Sequence, residues 1–158
     1  MSIITIYIDA DACPVREETY KVALRHNVPV VVVSNSFLRV MQHPLITRVI
    51  VNDSFDAADD YIAERADANS IVITSDILLA ERCLIAGALT IAPNGKPFTN
   101  DSIGSAIAVR AIMVDLRAGT GGKNAGNENI GGPPPFTGAD RSKFLQALHE
   151  NVVQLKRK

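Results

Sequence analysis

Short runs of apolar, mostly β-branched residues recur along the first part of the chain and predict buried strands. They lie at residues 3–8, 28–33, 48–51, 71–74 and 88–92. Most of these runs are apolar at successive positions rather than at alternate ones. That pattern is typical of strands that are buried on both faces, as they are in a parallel sheet.

Segments with a helical spacing of apolar residues separate these runs and continue beyond the last one. The predicted helices lie at residues 15–26, 56–68, 77–86, 101–118 and 140–156. In the last of them, Phe144, Leu148, Val152 and Leu155 fall on one face. The alternation of strands and helices predicts one α/β domain over residues 1–158 with a mostly parallel five-stranded sheet.

A stretch rich in glycine, asparagine and proline separates the last two predicted helices. Residues 119–135 read GTGGKNAGNENIGGPPP. This composition excludes a regular helix or strand. Loops of such length inside a compact domain are usually functional or mobile. We therefore predict a flexible loop at this place within the single domain.

Composition and charge are those of a soluble globular protein. Of the 158 residues, 47% are hydrophobic and 21% are charged, a balance that excludes a disordered chain. The formal net charge of −1 excludes a global basic field, so a nucleic-acid partner requires a local basic patch. Cys13 and Cys83 form no disulfide or metal-ligand pattern, and no export or membrane segment is apparent. We expect a cytoplasmic protein with no membrane partner.

Aspartates follow two of the predicted strands and lie early in one helix. Asp9 and Asp11 come after the first strand, and Asp76 comes after the fourth. Ligands of open parallel sheets bind beyond the carboxyl ends of the strands, so these three acids converge if the two strands are neighbours. Asp59 and Asp60, one turn into helix 56–68, can face the same edge. Clustered carboxylates need a cation, and oxygen-only ligands favour Mg²⁺ or Mn²⁺ over zinc.

Each of these acids also has a purely structural interpretation. Asp11 and Asp56 stand where helix caps are expected. Asp59 and Asp60 fit a solvated helix face on which they pair loosely with Arg65. What favours a site is that all of the acids are placed at one edge of the sheet.

Other polar residues are predicted near the same edge. Ser34 and Asn35 follow the second strand, and Ser75 precedes Asp76. They are candidates for binding substrate, although a plain turn explains them equally well. Cys13, next to a predicted helix start, is a candidate nucleophile, and a small buried side chain is the alternative.

Arg141 lies in the first turn of the last predicted helix, where a positive charge is unfavourable against the helix dipole. Such a residue needs a partner. A substrate phosphate suits the geometry of a guanidinium group. The alternative is an ion pair with an acid such as Asp140 or Asp115.

Four motifs in this order resemble the YaiI/YqxD family, a bacterial family grouped by its fold with PIN-like nuclease domains. The motifs are IDADACPV, DAADDYIA, VITSDILLA and GGPPPFTGADRSKFLQAL. The resemblance covers almost the whole chain. It implies a three-layer PIN-like domain with strand order 3-2-1-4-5. It also implies a nuclease that acts on RNA or DNA with Mg²⁺ or Mn²⁺.

Two of these motifs also resemble the 5′ nuclease domain attached to bacterial DNA polymerases, in which an EADD helix precedes a TGDKD-like strand end. That likeness assigns metal binding to four acids, which are Asp9, Asp59, Asp60 and Asp76. Asp11 joins them as a candidate catalytic carboxylate. The chain departs from the pattern at Ala57, in place of glutamate, and at Leu78, in place of a second aspartate. These departures weaken the expectation of a second metal ion.

Two other functions are compatible with the sequence. A nucleic-acid-binding module that keeps the fold but cleaves nothing is favoured by the replaced acids at Ala57 and Leu78. A haloacid-dehalogenase-like phosphatase is suggested by DADAC, in which Asp9 attacks phosphorus and Asp11 acts as the acid. Cys13 stands where that motif has threonine or valine, so we rank the phosphatase last.

Overall fold

The computed structural model describes residues 3–11, 13–52, 54, 56–119 and 135–157. Five strands form one sheet, namely Thr5–Asp9 (β1), Val30–Ser34 (β2), Ile46–Ile50 (β3), Ser70–Ile73 (β4) and Leu89–Ile91 (β5). Every neighbouring pair is parallel, and the spatial order is β3-β2-β1-β4-β5. The predicted strand order is therefore confirmed, with β1 and β4 side by side at the centre.

Helices connect or follow the strands, as the alternation predicts. They are Arg16–His26 (α1), Ala57–Arg65 (α2), Ile77–Ile85 (α3), Asn100–Gly119 (α4) and Gly138–Lys156 (α5). Each predicted element is present, with its ends shifted by a few residues. The predicted loop at 119–135 falls mostly outside the described residues, because α4 includes Gly119 and the description resumes at Pro135.

The sheet separates two hydrophobic cores, because successive residues of a strand point to opposite faces. In β4, Ile71 and Ile73 pack in the core beneath α1 and α5. Val72, between them, packs in the core beneath α2 and α3. All three side chains are fully buried. The domain therefore has three layers, with helices on both faces of the sheet.

Helix α5 buries the stripe predicted for it, since Phe144, Leu148 and Val152 are inaccessible to solvent. It begins at Gly138 rather than at Asp140. The reason is a capping box, in which Thr137 Oγ1 accepts from the Asp140 backbone N–H at 3.1 Å and Asp140 Oδ2 accepts from that of Thr137 at 3.0 Å. The spacing of threonine and an acid three residues later is the signal that locates this start.

Helix α4 packs against α3 and leaves much of its apolar surface uncovered. Ile103, near its start, is buried, whereas Val109, Ile112 and Leu116 are each more than half exposed. In the part of the chain that the structure describes, no helix has both the length and the apolar character needed to cross a membrane.

Candidate functional site at the carboxyl edge of the sheet

A cleft of about 740 Å³ opens at the carboxyl ends of the central strands. Its charged lining consists of Asp9, Asp11, Asp56, Asp59, Asp76 and Arg82. The aspartates come from β1, from the start of α2 and from the start of α3. They meet because parallel neighbouring strands end at the same edge. Four of the five predicted site acids therefore lie in one cleft.

Asp9 is fixed from the neighbouring strand β4. Its Oδ2 accepts a hydrogen bond from Oγ1 of Thr74, a buried residue that follows β4, at 2.8 Å. Burial raises the pKa of Asp9, the Thr74 bond lowers it, and the charges of Asp11 and Asp76 raise it further. The net direction is upward, so the ionised form of Asp9 is disfavoured in the folded protein.

Asp59 reaches the cleft from the first turn of α2. Burial and the charges of Asp76, Asp9 and Asp56 raise its pKa to about 6, against the opposing effect of Arg82. Burial is the largest of these causes. The contributions of the three neighbouring aspartates show that carboxylates lie close together, since like charges disfavour ionisation only over short distances. The acids predicted to share a site therefore influence one another electrostatically.

Asp76 caps helix α3 in addition to lining the cleft. Its Oδ1 accepts from the backbone N–H groups of Leu78 at 2.9 Å and Leu79 at 3.2 Å. The cap roles considered for Asp11 and Asp56 are absent. The residue before α1 is Val15, and Asp56 precedes α2 without a side-chain hydrogen bond. One carboxylate oxygen of the predicted metal ligand Asp76 is thus already hydrogen-bonded. Asp11 and Asp56, by contrast, are not used as helix caps.

Asp11 is positioned by the turn that follows β2. Oγ of the buried residue Ser34 lies 3.2 Å from Asp11 Oδ1 and 2.8 Å from the carbonyl oxygen of Ser36. The Asn35 side chain satisfies its hydrogen bonds when its amide nitrogen donates to the Asp11 carboxylate. Asn35 and Ser75 also line the cleft, whereas Ser34 lies behind Asp11. Of these three candidates for substrate binding, two are therefore exposed to a ligand.

Asp60 does not line the cleft with Asp59. Successive helical residues point about 100° apart, so the two carboxylates diverge. Asp60 instead accepts a hydrogen bond from Arg82 on α3 at 2.8 Å. The pairing of these acids with Arg65 is wrong, because Arg65 approaches Glu64 and lies 3.6 Å over the Tyr61 ring centroid. Asp60 therefore acts on the cleft through Arg82.

Arg82 is the functional candidate that sequence reasoning missed. It brings a positive charge to a cleft lined by carboxylates. The hydrogen bond that Arg82 donates to Asp60 raises the pKa of Arg82 above its ordinary value. A sequence signal for Arg82 exists, because it lies three or four residues after Leu79 and Leu78 and therefore on the same face of α3. All three residues line the cleft.

Arg141 has a protein partner. Its Nε lies 2.9 Å from Oε2 of Glu18 on α1, and its guanidinium carbon lies 5.6 Å from the Phe136 ring centroid. An ion pair is thus present, but with neither of the acids considered from the sequence. Asp140 belongs to the capping box, and the side chain of Asp115 lies outside the described residues. Arg141 is not among the residues that line the cleft.

The two cysteines do not behave as nucleophiles. Burial raises the pKa of the Cys13 thiol to about 11 and that of the Cys83 thiol to about 12. Both thiols are therefore protonated near neutral pH, and the thiolate is the reactive form. The interpretation of Cys13 as a small, largely buried side chain accounts for its position.

The residues that form this cleft lie inside a region matched by a protein-family model. The model is described as the uncharacterised YaiI/YqxD family and matches residues 7–154. The chain belongs to the YaiI/YqxD family. A UPF0178 protein of Sphingopyxis alaskensis is 64% identical over 157 residues, which cover 99% of this chain and 98% of the relative. Another UPF0178 protein, from Rhodopseudomonas palustris, is 56% identical over 153 residues, which cover 97% and 92%.

These comparisons establish the family but indicate no activity, which has to be inferred from the residues of the cleft. Neither the family description nor the names of the relatives specify an activity. No solved structure matches the chain. The expected likeness of this YaiI/YqxD-family protein to PIN domains therefore stays a prediction from its motifs.

The acids of the cleft fit a hard divalent cation in donor type and charge. Their oxygens are the ligands that Mg²⁺ and Mn²⁺ prefer. Burial chiefly raises the pKa of Asp9 and of Asp59, and the charges of neighbouring aspartates raise it further, an effect that a cation would relieve. Among the described residues, no three His, Cys, Asp or Glu side chains are close enough together to form a metal-binding group. Coordination by three carboxylates therefore requires side chains to rotate.

Proposed function

We propose that this YaiI/YqxD-family protein is a phosphodiesterase that hydrolyses RNA or DNA at the acidic cleft with Mg²⁺ or Mn²⁺. The observation that supports it most is the meeting of Asp9, Asp59 and Asp76 in one cleft, where the charge of Asp76 adds to the raised pKa of Asp9 and of Asp59. Crowded like charges are unfavourable unless a cation neutralises them, and this supports a cation and a phosphate as the ligands of the cleft.

The proposed roles follow from position. Asp9 and Asp76 hold the principal metal, and Asp11 and Asp59 complete its shell directly or through water. When bound, the metal supplies an activated water and neutralises charge on the phosphate. The chain adds a positive charge from Arg82, which Asp60 holds at the cleft.

Hydrogen-bond donors of the cleft complete the proposed substrate contacts. Ser75 and Asn35 line it, and Ser75 offers a hydroxyl donor to phosphate or sugar oxygens, whereas the amide nitrogen of Asn35 already donates to Asp11. Arg141 is proposed to contact a phosphate only if it can leave Glu18, because that ion pair occupies its guanidinium group. Ser75 is therefore the best of these candidates.

A non-catalytic nucleic-acid-binding module is the second candidate. It is favoured by the use of Asp76 Oδ1 as a helix cap and by the absence of a preformed group of three ligands among the described residues. A phosphatase that uses Asp9 as its nucleophile is less well supported, because Cys13 stands where that motif has threonine or valine.

Turnover separates these functions. Labelled single-stranded and duplex RNA and DNA are incubated with Mn²⁺ and wild-type protein, Asp9→Asn or the control Asp101→Asn. Asp101 is an exposed acid in the first turn of α4. We expect cleavage by wild type and by the control, and loss of cleavage in Asp9→Asn. Equal cleavage by all three proteins contradicts the proposal, and binding without cleavage supports the non-catalytic module.

A further inference from the structure

An exposed aromatic residue stands on the segment that follows β2. In that segment, Leu38 and Val40 turn inward and pack against the core beneath α1 and α5. Phe37 and Arg39, which alternate with them, are exposed, and 71% of the surface of Phe37 faces solvent. Phe37 is therefore not a displaced core residue, since its neighbours already anchor the segment.

Two arginines from other elements hold this segment in place. The Arg48 guanidinium carbon on β3 lies 4.6 Å from the Phe37 ring centroid, and its Nη1 donates to the Leu38 carbonyl at 3.2 Å. From α1, Nη1 of Arg16 donates to the Arg39 carbonyl at 3.4 Å. We call Phe37, Arg39, Arg48 and Arg16 the arginine ridge. None of its three guanidinium groups forms an ion pair within the described part of the chain.

The arginine ridge borders the acidic cleft. Asn35 lines the cleft, and Phe37 follows it two residues later, at most about 8 Å along the chain. Arg16 is the first residue of α1, which follows Asp11. One surface is thus lined by carboxylates, and the adjacent one offers an aromatic ring among unpaired positive charges.

We propose that the arginine ridge binds a single strand of nucleic acid, with a base stacked on Phe37 and phosphates held by Arg39, Arg48 and Arg16. Stacking requires a free base face, which a single strand offers and a duplex does not. The three guanidinium groups supply the local basic patch that a chain of net charge −1 needs for this partner. The inference rests on the proposed function only in the further step that leads the strand from the ridge into the cleft.

Binding is measured by fluorescence anisotropy with short labelled RNA and DNA oligonucleotides, in EDTA and in Ca²⁺, which occupies the site without supporting cleavage. We expect Phe37→Ala to weaken binding of single strands about five-fold to a hundred-fold. The control is Ile85→Ala on α3, which also truncates an exposed apolar residue, 80% accessible to solvent. It leaves affinity unchanged, and both variants keep the wild-type melting temperature.

A second variant detects the stacked base directly. The chain contains no tryptophan, so Phe37→Trp introduces a single tryptophan at the proposed stacking position, whose emission can be excited apart from that of the three tyrosines. We expect an unlabelled single strand to quench its emission and to bind at least as tightly as it binds wild type. Arg48→Gln is expected to reduce the slope of log affinity against log salt by about 1, because one phosphate contact is lost.

Three results overturn the inference: wild-type protein binds no single strand, Phe37→Ala binds as tightly as wild type, or Phe37→Trp is not quenched under saturating strand. The outcome does not depend on catalysis. Binding with the expected effects but no cleavage by any metal-loaded protein refutes the nuclease and keeps the ridge. Cleavage that Phe37→Ala leaves unchanged, with unaltered affinity, refutes the ridge and keeps the nuclease.

Discussion

Helix α5 and helix α2, which lie on opposite faces of the sheet, differ in how much they contribute to the stability of the domain. Beneath α1 and α5 lie the two bulkiest fully buried side chains, Tyr20 and Phe144, and α5 begins with a complete capping box at Thr137. On the other face, α2 has nine residues and starts after Asp56 without a side-chain cap. Its first turn places Asp59 among like charges. We call the layer of α1 and α5 the stabilising layer, because α5 is well packed and fully capped. Helix α2 instead carries an acid whose charge is unfavourable, as expected where function competes with stability.

The largest effect on stability is expected from a substitution at Gly95, where the backbone approaches helix α5 closely. A Cβ there meets backbone atoms of Lys143 at 2.6 Å and of Phe144 at 2.7 Å, and the φ of +87° is unfavourable for any other residue. We expect Gly95→Ala to lower the free energy of unfolding by about 3 kcal/mol. The control is Gly104→Ala in α4, where a Cβ meets nothing within 4 Å. It should stabilise by up to about 1 kcal/mol.

Urea unfolding of both variants, followed by circular dichroism, gives the two free energies. Similar midpoints for the two glycine variants would show that α5 is not held by this close approach. The fold would then depend less on the α1 and α5 layer than the packing indicates.

A smaller effect of opposite sign is expected at the cleft. Burial and the neighbouring charges raise the pKa of Asp9, so an uncharged Asn removes an unfavourable charge at neutral pH and can still accept from Thr74. In EDTA, Asp9→Asn should stabilise by about 1 kcal/mol, which is roughly 2–4 °C in melting temperature for a domain of this size. It should also reduce the stabilisation that added Mn²⁺ gives.

Melting curves with and without Mn²⁺ measure both effects, and Asp101→Asn again serves as the control. A clear fall of the melting temperature of Asp9→Asn in EDTA would assign Asp9 a structural role and remove the reason to regard the cleft as strained.

Asp59 predicts how the stability of the site depends on pH. Its pKa is about 6 in the folded protein and has an ordinary value of 3.8, so the folded state binds the proton more tightly. The free energy of unfolding therefore falls as the pH rises from about 4 to about 6. Above that range Asp59 lowers it no further. Since Asp59 is partly solvated, we expect Asp59→Asn to recover only about 1 kcal/mol at pH 7 in EDTA. Near pH 4 it should recover almost nothing, and an equal gain at both values contradicts the assignment.

The sequence predicted those features that depend on strand order. Once β1 and β4 are neighbours, Asp9 and Asp76 must end at the same edge, and the acids of the following helices lie close to it. The helix caps were harder to predict, because Asp11, Asp56 and Asp76 all stand near helix starts. Only the side-chain geometry shows that Asp76 is the one that caps.

Contacts between elements that are distant along the chain could not be predicted from the sequence. Asp60 and Arg82 are joined across α2 and α3, and Arg141 and Glu18 across α5 and α1. No local spacing encodes such pairs, since they depend on how the helices lie against each other. The arginine ridge is a similar case, because its residues come from α1, β3 and the segment after β2.

The last expected effect concerns Arg141, whose guanidinium group pairs with Glu18 and is also a candidate for contacting a substrate phosphate. Its ion pair with Glu18 joins α5 to α1, and Glu18 is the more buried partner, with 14% of its side chain exposed against 51% for Arg141. We expect Arg141→Ala to destabilise by about 1 kcal/mol, since it leaves a shielded carboxylate without its partner. Affinity for single strands in Ca²⁺ should stay unchanged.

Lys143→Ala, which removes an exposed cation of the same helix, is the matched control and should change neither the free energy of unfolding nor the affinity. If Arg141→Ala instead weakens binding and keeps the wild-type melting temperature, Arg141 contacts a phosphate, and the site then extends onto helix α5.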